Sequence, residues 1–93
     1  MLSQLPINLS KVKGEEVDKE IARLGMIAEL DAVSLYEQLA VMTDNAGLKK
    51  VLLDIAKEEK THIGEFEALL FSMDKEQVAE TKKGQKEVEE LTN

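Results

Sequence analysis

The sequence predicts an all-α protein: an antiparallel two-helix hairpin plus a short C-terminal helix, pairing as a dimer into a four-helix bundle. Three observations predict it. No stretch alternates apolar and polar residues with the period of two that a half-buried strand needs. Two long segments carry apolar residues at helical spacing on either side of a dense turn signal, Asp44-Asn45-Ala46-Gly47. The chain has 93 residues and no cysteine, which makes a large self-contained core or a disulfide staple impossible. A two-helix hairpin of this size must cover its apolar faces with a second copy or another element.

Met1 to Gly14 holds the only proline, Pro6, and reads as an extended N-terminal arm over residues 1–14. Its Leu2, Leu5, Ile7 and Leu9 are suited to packing against a neighbour. Gly14 followed by Glu15 and Glu16 opens the first helix, because acids are favourable at the positive end of the helix dipole. This helix is expected over Glu15–Met42. The four-residue turn signal then makes the second helix, expected from Leu48 to Phe71, its antiparallel neighbour. The hairpin as a whole occupies residues 15–73. Asp74 followed by Gln77 has the form of an N-cap with its N3 partner, so a third helix within residues 74–93 starts near Lys75. Gly84 is expected to interrupt it, leaving Glu87–Leu91 as a short continuation or a frayed end.

Composition removes several function classes. The net charge is −7 and the sequence pI is about 4.7, the wrong sign for DNA, RNA or an anionic membrane surface. Aromatic residues are 3%, poor material for stacking on bases. A charged fraction of 33% beside 43% hydrophobic residues suits a soluble helical protein rather than a disordered one. Met1–Gly14 has no long apolar core of a secretory leader, and no run reaches the length of a membrane span. The expected location is cytoplasmic.

Rotation of about 100° per residue sorts each helix into faces. In helix 1, Asp31, Ser34, Glu37 and Gln38 gather on one side. Glu29 lies nearly opposite, in a stripe of Ala22, Gly25, Met26, Ala32, Val33, Tyr36 and Ala40. In helix 2, Leu48, Leu52, Ile55, Ile63, Phe66 and Leu70 form the apolar stripe, and Glu59 falls at its centre. His62, three residues on, stands one turn away on the same face. Lys50, Asp54, Lys57, Thr61 and Glu65 make an ordinary solvated face, and Glu58 is turned about 100° from Glu59.

An acid in an apolar stripe needs a partner, because burying an unpaired charge is costly. Each feature alone has an ordinary reading. A Glu-x-x-His match arises often by chance in Glu-rich helices. A lone histidine on an apolar face is more often hydrogen-bonded to a carboxylate or carbonyl than bound to a metal. Glu29 has Lys60 and Arg23 as candidate ion-pair partners, though neither points along its stripe. Together the features say more. Di-iron and di-manganese carboxylate bundles take one Glu from each of two helices and a Glu-x-x-His from each of the other two. This chain carries one helix of each kind, so it holds half a bundle and half a site. A two-fold pairing of copies completes both at once. Carboxylate and imidazole without sulfur suit Fe, Mn or Zn, and two carboxylate-bridged metals suit iron and dioxygen chemistry.

At Ile27-Ala28-Glu29-Leu30-Asp31-Ala32-Val33-Ser34-Leu35-Tyr36-Glu37-Gln38, and from Val51-Leu52-Leu53-Asp54 through Glu58-Glu59-Lys60-Thr61-His62, the chain resembles the encapsulated ferritin family. These are ferritin-like proteins carried inside encapsulin nanocompartments. The likeness is especially close to archaeal versions fused ahead of the shell protein. The resemblance implies a helical hairpin with a further C-terminal helix, whose chains pair to build a ferroxidase centre and assemble into a ring-like decamer. Such proteins oxidise Fe²⁺ to Fe³⁺ for mineral storage in the shell. Carried over by position, Glu29, Glu59 and His62 are the ligands of a di-iron centre shared between two chains, and Tyr36 stands beside them in the catalytic set. Asp31 matches one acid of a metal-entrance site on the outer face of the first helix, while Ala28 and Leu35 stand where some members have an acid and a Trp. The partners implied are a second copy and an encapsulin shell protein, and the implied location is cytoplasmic, within the nanocompartment. The chain ends at Thr92-Asn93 without the Gly-Ser-Leu-rich cargo tail of many free-standing members, as expected of a trimmed tail or a domain joined to a shell protein. Two alternatives stand beside ferroxidase. One is rubrerythrin-type peroxide reduction at the same ligands, although this chain has no cysteine for the second iron module that rubrerythrins typically carry. The other is a non-enzymatic helical assembly module with His62 and the acids in a hydrogen-bonded network.

Overall fold

A computed structural model, which describes residues 14–93, places the chain in three helices: α1 (Glu15–Met42), α2 (Ala46–Met73) and α3 (Lys75–Thr92). No strand occurs among the described residues. The extended arm expected over residues 1–14 lies outside them, apart from Gly14. That residue takes φ 65°, which strains any side-chain-bearing residue, and turns the chain into α1 without a side-chain cap. Its carbonyl accepts from Val17 N at 3.1 Å.

The connection from α1 to α2 is tighter than the turn signal suggests. Asn45 N donates to Thr43 Oγ1 (3.1 Å), and Asn45 Oδ1 accepts from Leu48 N (2.8 Å). Asn45 is therefore the N-cap, and α2 begins two residues before the expected Leu48. At the other end α2 runs two residues past Phe71, because Asp74 N donates to Leu70 O (2.9 Å) and closes a further turn.

Asp74 joins all three helices. It ends α2 and caps α3, where its Oδ1 accepts from Gln77 N at 3.0 Å. The reciprocal half of a capping box is absent. Asp74 N is already committed to Leu70, and Gln77 Nε2 donates instead to Thr81 Oγ1 (3.0 Å). Asp74 Oδ2 accepts from Arg23 Nη2 (3.1 Å), while Arg23 Nη1 donates to Glu20 (2.7 Å), so α1 is tied to the α2–α3 joint. The Gln77 N–H holds the Asp74 carboxyl below its ordinary value of 3.8; Lys19 and Arg23 add to this, and burial opposes it. A carboxyl lowered by folding contributes stability above its unfolded pKa that is lost as pH falls through the folded one. We therefore expect α3 helicity to hold from neutrality down to about pH 4 and to fall below it. Circular dichroism checks this, and Asp74→Asn should remove that acid step.

The expected break at Gly84 does not occur. α3 is continuous through it, and a β-carbon at Gly84 meets nothing within 4 Å. One helical glycine costs about 0.5–1 kcal/mol, too little to break a capped helix whose neighbours Lys82, Lys83, Gln85 and Lys86 favour helix. Gly84→Ala is accordingly expected to stabilise α3 by about 0.5–1 kcal/mol, read as increased helicity near the melting transition. α3 itself contributes no buried residue.

The hairpin seam is made of small residues. Ala22 and Ala40 of α1 and Ala56 and Leu70 of α2 are the buried hydrophobic residues among those described. Three alanines out of four let the helix backbones approach closely. Much of the larger apolar surface stays outside. At about 100° per residue, Ile21 and Leu39 of α1 and Val51 and Leu69 of α2 turn to one side of the seam. Their exposures are 48%, 36%, 56% and 56%. This open apolar face bears directly on the site.

Candidate metal centre

Glu29 reaches the seam because it lies between Ala22 and Ala40 on the packing stripe of α1. Glu59 does the same on α2, three residues after the buried Ala56. His62 follows one turn later and leans towards the open face. In the folded chain these three side chains converge. Each offers a ligand atom, and the three atoms lie within 4.8 Å of one another. His62 Nδ1 stands 3.4 Å from Glu59 Oε2 and 3.4 Å from Glu29 Oε2.

The cluster is incompletely satisfied. His62 Nδ1–H donates to Glu59 Oε2, but the approach to Glu29 has no hydrogen-bond geometry. Glu29 Oε2 is buried and makes no hydrogen bond. Leaving a buried acceptor unpaired costs about 1–3 kcal/mol, more when it is charged. The candidate ion-pair partners do not relieve it. Lys60 Nζ pairs with Glu37 at 3.1 Å, and Arg23 is held by Glu20 and Asp74. Two carboxylates and an imidazole with one oxygen left over form a set that a divalent cation fits. The Glu29 and Glu59 side chains are 19% exposed and His62 is 44% exposed. The cluster therefore sits under the seam but opens through His62 onto the face that carries Ile21, Leu39, Val51 and Leu69.

The other sequence candidates fall elsewhere. Tyr36 is half-buried on the same stripe as Glu29, two turns or about 10 Å along α1. Asp31 is half-buried and rotated about 200° from Glu29, outside the three-residue cluster. Glu58 is exposed. Sequence reasoning gave no sign of the Arg23–Asp74 bridge, whose members are 51 residues apart and have no shared local pattern. No helix among the described residues is long and apolar enough to cross a membrane.

Comparison with known proteins places this geometry in a family. The sequence model of the rubrerythrin family matches residues 12–92. A ferritin-like–encapsulin shell fusion protein of Pyrococcus furiosus is 53% identical over 94 residues, covering 99% of this chain and 27% of that protein. An encapsulin nanocompartment cargo protein of Myxococcus xanthus is 38% identical over 76 residues, covering 78% of this chain and 58% of that protein. The chain thus spans only part of the length of these curated relatives. The crystal structure of the encapsulated ferritin domain from P. furiosus matches with a TM-score of 0.85 and 52% identity, covering 99% of this chain and 96% of that one. The chain belongs to the rubrerythrin family, and within it is a close homologue of the encapsulated ferritin domain.

Proposed function

We propose that this chain is one half of a ferroxidase: two copies pair through the open apolar face, bring two Glu29–Glu59–His62 sets together and oxidise Fe²⁺ to Fe³⁺ for mineral storage inside an encapsulin shell. The observation that carries the reading is the convergence of Glu29, Glu59 and His62 within 4.8 Å, with Glu29 Oε2 buried and lacking a hydrogen bond. A cation among the three would replace the His62 proton as the bridge and give the orphaned oxygen its partner.

The donor set suits iron in both oxidation states. Carboxylates stabilise the harder Fe³⁺, and the imidazole is a common ligand of iron. When two ferrous ions are bound close together, dioxygen can take one electron from each. The protein's part is to hold them. Glu29 and Glu59 supply negative charge in a mostly buried setting, where it is least screened. The Glu59–His62 contact turns Nδ1 of the imidazole towards both carboxylates. Tyr36, further along the stripe, is assigned as a neighbour of the centre and not as a ligand.

Pairing follows from the same surface. The cluster's exposed member, His62, shares the open face with four large apolar residues, and covering that face would bury His62 as well. The charge of −7 suits a protein that gathers cations. Association with an encapsulin shell protein is carried over from the relatives, and further assembly of dimers into a ring from the resemblance to the encapsulated ferritin family. The test is aerobic Fe²⁺ oxidation followed by ferric absorbance. The protein should exceed the buffer rate, and Zn²⁺ should suppress the excess by taking the same ligands. Oxidation at the buffer rate in the paired state would refute the proposal.

A further inference from the structure

Beside the cluster, α1 and α2 meet at a contact that depends on a missing side chain. Gly25 lies four residues before Glu29, and Phe66 four residues after His62. Because the helices are antiparallel, both lie about 6 Å, just over one turn, from the nearer ligand in the same direction. A β-carbon on Gly25 would stand 2.6 Å from Cδ1 and Cε1 of Phe66 and 2.7 Å from its Cζ. The edge of the ring therefore rests on the bare backbone of α1. The ring also lines a mostly apolar cleft of about 260 Å³ with Asp18, Ile21, Ala22, Leu69 and Met73, on the open face.

Resting on the di-iron reading above, we propose that Gly25 and Phe66 are positioning residues for the metal ligands. The ring seated on the glycine sets the separation of α1 and α2 at the level where Glu29 must reach Glu59 and His62. The tolerances make this seat matter. Metal–ligand distances in a working site are held to about 0.2 Å. The gap between the 2.6 Å approach and ordinary contact at 3.4 Å is several times larger. A methyl group on Gly25 must push either α1 away from α2 or the ring towards the cleft. In the first case Glu29 is carried away from its two companions. In the second, the wall of the site on the side of the open face is displaced.

The experiment uses the full chain and Co²⁺ as the probe, because its visible spectrum reports its ligands with no oxidation step. Gly25→Ala is expected to weaken Co²⁺ binding by about ten- to a hundredfold, the range for residues that orient metal ligands, with helicity intact by circular dichroism. Adding Phe66→Leu to Gly25→Ala frees the space the methyl needs and is expected to restore most of the affinity. Phe66→Leu alone keeps the apolar bulk and folds, but removes the ring edge from its seat, and is expected to weaken binding and alter the spectrum. It carries the test if Gly25→Ala does not fold. A folded Gly25→Ala or Phe66→Leu protein with the parental affinity and spectrum would overturn the inference, leaving the contact as packing only. If the parent binds no Co²⁺ in its paired state, it is the di-iron reading that fails, and the inference falls with it.

Discussion

Replacing His62 by alanine is expected to abolish metal loading and to return Fe²⁺ oxidation to the buffer rate, while leaving the metal-free fold nearly as stable as the parent. The loss should exceed about a hundredfold in metal affinity, because that is the upper end for residues that only orient ligands and His62 is assigned as a ligand itself. The small stability effect follows from its 44% exposure and from the length, 3.4 Å, of its approaches to both Glu59 and Glu29. A ligand role and a packing role separate here. If the cluster were only a hydrogen-bonded network in an assembly module, His62→Ala would lower the melting temperature of the metal-free protein and leave metal content unchanged. Metal analysis beside thermal melts, on the same sample, reads both.

Ile21→Lys combined with Leu69→Lys is expected to split the pair and silence the site without touching any ligand. Both residues are about half exposed in the single chain, so lysines there leave the hairpin intact. On the open face they place two like charges where a second copy would have to bury them. The effective penalty of an unpaired buried charge is several kcal/mol, and each 1.4 kcal/mol is tenfold in affinity. The dimer dissociation constant should therefore rise by about a thousandfold or more. Size-exclusion chromatography with light scattering should show a monomer with parental helicity that no longer oxidises Fe²⁺. If the variant loads iron fully as a monomer, the site is complete within one chain and the shared-centre reading is wrong.

The fold was largely legible because its signals are local. The acids after Gly14 and the break after Met42 mark α1 at both ends, and the structure places the helix at Glu15–Met42. Each end of α2 lies two residues beyond the sequence expectation, since which of Asp44, Asn45 or Gly47 terminates the turn is decided by hydrogen bonds. Asn45 caps Leu48, and Asp74 closes on Leu70. The break expected at Gly84 does not occur because the cost of one helical glycine is small beside the helix preference of Lys82, Lys83, Gln85 and Lys86 around it. The convergence of Glu29, Glu59 and His62 could be read from rotation alone, because an antiparallel hairpin has to face its two stripes towards each other. Contacts set by tertiary geometry were not legible. The Arg23–Asp74 bridge spans 51 residues. Gly25 was visible only as a small residue, and its ring partner emerges only when the helices are packed.

Native mass spectrometry after anaerobic Fe²⁺ loading tests the central claim most directly, because it reports copy number and metal count on the same particle. A centre shared between two chains predicts about one iron per chain, confined to even-numbered assemblies. A stable dimer that takes up no iron, or a monomer carrying the full complement, would contradict it.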